Sequence, residues 1–107
     1  MFGRFFDTTA IDQFAGTIAD ALRSDLPVSL CEADGKAARR AREAAQQRVD
    51  RHVQGFAGSA RLNVYQKAKL GLRLQEALTG AGYPAGFAKR FAYDVVSQVA
   101  RAAASRP

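Results

Sequence analysis

Apolar residues return along this chain at spacings of three and four, and four stretches hold that rhythm long enough to mark helices. Ile11, Phe14, Ala15, Ile18 and Leu22 share one face while Asp12, Asp20 and Arg23 point elsewhere, which predicts a surface helix over about 9–24. Thr9 with Asp12 makes a capping-box-like start, Asp standing where Glu or Gln is usual. Residues 25–34 break the rhythm. Pro27 disfavours helix at Leu26, and Leu26, Val28 and Leu30 alternate as an extended segment would. The expectation is an irregular connector that lays its apolar residues on the core. The alternative is an edge waiting for a second subunit.

The second helix is expected over about 35–56, with Asp34 as its N-cap and Gly55 and Gly58 near its end. Its stripe reads Ala38, Ala41, Ala45, Val49, His52 and Phe56, with Val53 beside it. A third helix follows over about 60–79, closed by Gly80-Ala81-Gly82. It is apolar on two sides, Leu70, Leu74, Ala77 and Leu78 on one and Tyr65, Ala68 and Leu72 on the other. That pattern predicts a central helix buried between neighbours. Gly71 costs a helix about 1 kcal/mol against Ala, so close approach by another helix is expected there. Pro84 opens the fourth helix, about 84–104. It should bury Ala88, Phe91, Ala92, Val95, Val96, Val99 and Ala103, and expose Arg90, Asp94, Ser97 and Arg101. The fold class is therefore all-α: a compact bundle of four helices with short loops, one helical domain over 1–107.

Composition narrows the classes. At 107 residues and 48% hydrophobic, a chain buries roughly two-thirds of its unfolded surface, enough for one core without staples. This excludes a multidomain enzyme, a low-complexity chain and a disulfide scaffold, since Cys31 is the single cysteine. No run approaches the ~18 apolar residues of a membrane span. The start, Met1-Phe2-Gly3-Arg4-Phe5-Phe6, lacks the apolar stretch of a secretory signal. No membrane association and a cytoplasmic location are expected.

Charge changes the picture more. The net +6 is unevenly spread: residues 1–34 carry two basic and six acidic side chains, 35–73 ten and two, and 74–107 four and two. A basic middle third calls for an anionic partner, nucleic acid or an acidic protein, unless the chain's own acidic head is that partner. Lys36, Arg39, Arg40 and Arg51 lie away from the stripe of the second helix, with Gln47 and Gln54, while Arg42 and Arg48 flank the stripe. Arg61, Lys67, Lys69 and Arg73 follow, the last two on one polar edge. Lys36, Arg39, Arg40, Arg51, Arg61, Lys69 and Arg73 are the candidate polyanion-binding set, because rows of such cations can neutralise successive phosphates. Glu43 and Asp50 dilute it.

Residues for catalysis are scarce. His52 is the only histidine and reads as a core or interface residue, and Cys31 lies in an apolar connector. No metal-ligand spacing and no phosphate-cradling loop occurs, so neither metal nor cofactor is expected. Residues 74–96 match a helix-turn-helix weakly, since Asp94 sits where phosphate would approach. The sequence thus reads as a helical interaction module and not an enzyme. The alternative is a self-associating structural or regulatory protein, a homodimer built through Phe2, Phe5 and Phe6 and the 25–33 connector.

Overall fold

A computed structural model describes residues 9–59 and 62–104. Four helices form an all-α bundle: α1 (Thr9–Asp25), α2 (Lys36–Ser59), α3 (Val64–Gly80) and α4 (Ala85–Ala104). Their packing makes a square. α1 lies against α2 and α3, and α4 lies against the same two, so α2 and α3 occupy opposite corners. Ile11, Ile18 and Leu22 of α1 meet Val49 and Val53, Leu70, Leu74 and Leu78, and Val95 and Val99 at the centre, all at 1% exposure or less. Each such side chain contributes about 1.5–3 kcal/mol by leaving water. Phe14 and Phe56 stack at 4.0 Å between α1 and α2. Among the described residues no polar or charged residue is buried.

The ends of the helices show how the chain turns. Asn63 and Gln66 form a reciprocal capping box at the start of α3: the Gln66 amide donates to Asn63 Oδ1 at 2.8 Å, and the Asn63 amide to Gln66 Oε1 at 3.0 Å. The helix expected from residue 60 accordingly starts at Val64. At its other end, the Tyr83 amide donates to Leu78 O and the Gly82 amide to Thr79 O, a Schellman closure with Gly82 at φ 103°. Tyr83 and Leu78 are the buried apolar pair that accompanies it. At α2, the Arg39 amide donates to Gly35 O, so Gly35 (φ 105°) takes the N-cap position expected of Asp34. Asp12 is not confined to a capping role either: its carboxylate reaches Arg73.

The connector is irregular and packs inward, with a single 3₁₀ turn at Val28–Leu30. Leu26 and Cys31 are buried and Leu30 is partly so, while Val28 remains 39% exposed. The Tyr83 hydroxyl donates to Leu26 O, and Arg42 Nη1 donates to Ala33 O (2.7 Å) and Leu30 O (3.3 Å). These bonds tie an otherwise structureless segment to α2 and to the turn before α4.

Three further expectations are corrected. His52 is exposed, not part of the buried stripe. From Val49 the stripe steps by four to Val53 and Ala57, and each such step turns about 40° ahead, leaving position 52 behind. Nor is α3 buried on two sides. Leu70, Leu74 and Leu78 are inside, but Ala68 is exposed and Tyr65 and Leu72 are each 48% exposed. A corner helix has neighbours for one wide face only. Gly71 also differs from expectation: a Cβ there would stand 3.6 Å from Val96 Cγ2, an ordinary contact, so the packing of α4 does not require glycine.

Candidate functional site

The basic residues divide by what each one touches. Arg48 Nε lies 2.6 Å from Asp25 Oδ2, and this carboxylate raises the guanidinium pKa further. Arg73 reaches Asp12 at 3.2 Å and Glu76 at 3.1 Å, and Arg90 reaches Glu32 at 2.8 Å. Arg42 is held by the two connector carbonyls. Thus Asp12, Asp25 and Glu32 of the acidic head do meet arginines of this same chain, two of them in the basic middle.

Besides Lys67, Lys69, Lys89 and Arg101 on α3 and α4, the four cations Lys36, Arg39, Arg40 and Arg51 on α2 are left over. All four are exposed, and none has an ion-pair partner among the described residues. Lys36, Arg40, Gln47 and Arg51 run along the side of α2 opposite Val49, at steps that keep them on one face. Arg40 and Arg51 stand ~16 Å apart along the axis. Lys36, Arg39, Arg40 and Glu43 line a shallow cavity of about 260 Å³, and Asp50 is engaged by Gln46 at 2.8 Å. Because α2 and α3 sit at opposite corners, Lys69 and Arg73 do not extend this row. Arg61, Phe2, Phe5 and Phe6 lie outside the described residues.

A second surface was not foreseen. Val64, Tyr65, Leu72 and Tyr93 are large apolar side chains left exposed on α3 and α4. A groove of about 410 Å³ runs between these helices, floored and walled by Ala68, Gly71, Leu72, Ala92, Tyr93 and Val96. Lys67 and Lys89 also line it, and no carboxylate does. Tyr65, Ala68 and Leu72 were legible as a stripe; what their sequence pattern lacked was a sign that no helix of this chain covers them.

Cys31 is buried and His52 is exposed. Burial, then Glu32, pushes the Cys31 thiol up, away from its reactive thiolate form. Burial, then Cys31, does the same to the Tyr83 hydroxyl. No group of three or more His, Cys, Asp and Glu among the described residues is placed to hold a metal ion. Among them, no helix is long and apolar enough to cross a membrane. No protein-family model, curated protein or solved structure matches the chain.

Proposed function

We propose that the protein is a small helical binding module that takes a nucleic-acid backbone along the outer face of α2. The observation that carries this reading is the sorting of cations within α2: Arg42 and Arg48 are engaged within the chain, and Lys36, Arg39, Arg40 and Arg51 gather on that one helix unengaged. The other unpaired cations among the described residues, Lys67, Lys69, Lys89 and Arg101, are spread over α3 and α4. The α2 face offers cations and glutamines, diluted by Glu43, with no large apolar anchor among them. Protein interfaces draw most of their energy from buried aromatic and apolar anchors, whereas phosphate contacts need only placed cations. An acidic protein is therefore the less suited of the two anionic partners for this face.

The test is fluorescence anisotropy with a labelled 20-nucleotide duplex and the matching single strand. With three or four phosphates neutralised, affinity should fall about 40- to 150-fold for the duplex and about 20- to 50-fold for the single strand between 50 and 200 mM salt. Arg40→Glu with Arg51→Glu should abolish binding at low salt. Binding of neither probe at low salt, or binding insensitive to the double variant, overturns the proposal.

A further inference from the structure

We infer that the groove between α3 and α4 is a docking site for an acidic amphipathic helix of another protein. The site is separate from the α2 row and does not depend on it. Two observations converge. Apolar side chains that a monomer has no reason to expose, Leu72 and Tyr93 among them, border the groove. Its floor is small: Ala68, Gly71 and Ala92 leave room for the ridge of an incoming helix. Gly71 belongs to that floor, and an added methyl, in ordinary contact with Val96 at 3.6 Å, would take up part of it.

Charge selects the occupant. Lys67 lies one turn before Gly71, which packs level with Val96, and Lys89 lies two turns before Val96 on the antiparallel helix. The two lysines thus stand toward opposite ends of the groove, their backbone positions about 16 Å apart measured along the axes. A helix with an apolar ridge and carboxylates about three turns apart satisfies both. A second copy does not. Its same face would bring lysines against lysines, and its acidic helix α1 has its apolar residues Ile11, Ile18 and Leu22 in the core.

The probe is a labelled 18-residue helical peptide with Leu at i, i+4, i+7 and i+11 and Glu flanking that stripe. Its control carries Lys in place of every Glu. The full-length protein should bind the acidic peptide at least about tenfold more tightly than the control. Leu72→Ser with Tyr93→Ser should weaken binding at least about tenfold while lowering the circular-dichroism melt by only a few degrees, since neither side chain is in the core. Lys67→Glu with Lys89→Glu should reverse the preference between the peptides. Gly71→Ala should raise the melting temperature yet weaken binding about fivefold, by filling the floor. Equal binding of the two peptides, or no reversal by the lysine swap, overturns the inference. So does a dimer in light scattering that Leu72→Ser dissociates, which would make a second copy the occupant. Peptide binding that appears only after Phe5→Ser and Phe6→Ser would assign the groove to the chain's own N-terminal segment and overturn it equally.

Discussion

On the outer face of α2, Lys36, Arg40 and Arg51 stand among glutamines, whereas the groove between α3 and α4 sets Ala68, Leu72 and Tyr93 between two lysines. The first surface has charge without apolar contact, and the second has apolar contact bounded by charge. They arise from the same geometry. In a square of four helices every helix is a corner, and a corner helix buries one face and exposes the rest. α2 fills its free face with long polar side chains, as a solvated helix does. α3 does not, and its second apolar stripe is the anomaly that separates a surface used for contact from one adapted to water.

The comparison is tested most severely on α3 itself, where two leucines stand two positions apart. Leu74 is fully enclosed and Leu72 is about half exposed. Leu74→Ala should cost about 3 kcal/mol of unfolding free energy in urea titration, because it leaves a cavity where four helices meet. Leu72→Ala should cost no more than ~0.5 kcal/mol. Similar losses at both positions would mean that the groove side is covered in the free protein, and the contrast between the two faces would fail.

What was readable in the sequence follows from which forces act locally. The four helices, the inward-facing stripes of α1 and α4 and the irregular connector are set by periodicity and by Pro27, so the chain displays them without its fold. The Asn63-x-x-Gln66 capping box is equally local and marks the start of α3, which the bare apolar rhythm does not. His52 is different: whether a stripe steps by three or by four after Val49 depends on where α1 and α4 lie. The same holds for the cations. Arg48 and Arg51 look alike in sequence, and only the return of α1 beside α2 puts Asp25 next to one and not the other. The stripe of Tyr65 and Leu72 was visible, but periodicity marks an apolar face without saying whether the chain supplies its cover.

Arg42 gives a smaller effect, and one that separates structural from available cations on a single helix. Its guanidinium donates to the carbonyls of Ala33 and Leu30, of which Leu30 O also accepts the Ala33 amide at 3.4 Å. Arg42→Ala should lower stability by about 1.5–2 kcal/mol, within the range for hydrogen bonds to charged groups. Hydrogen exchange should speed up at residues 28–33 before it does in α1. Unchanged stability would return Arg42 to the pool of cations open to a partner and weaken the sorting on which the α2 proposal stands.

The smallest expected effect is the one that decides whether pairing matters at all. Arg48 is ion-paired with Asp25, but its side chain is 45% exposed, so water screens most of the attraction. Arg48→Gln should therefore cost little stability, and Arg40→Gln, with no partner to lose, close to nothing. Nucleic-acid affinity should order the two variants the other way. Arg48→Gln removes a positive charge already neutralised by Asp25, so binding should stay within about twofold, while Arg40→Gln should weaken it several-fold through a lost phosphate contact. Both variants lower the net charge by the same amount, so a response to total charge alone would weaken binding equally in each. Equal weakening would make the α2 face a diffuse positive field without a specific row, whereas a difference in the stated direction ties affinity to the cations that the fold leaves unpaired.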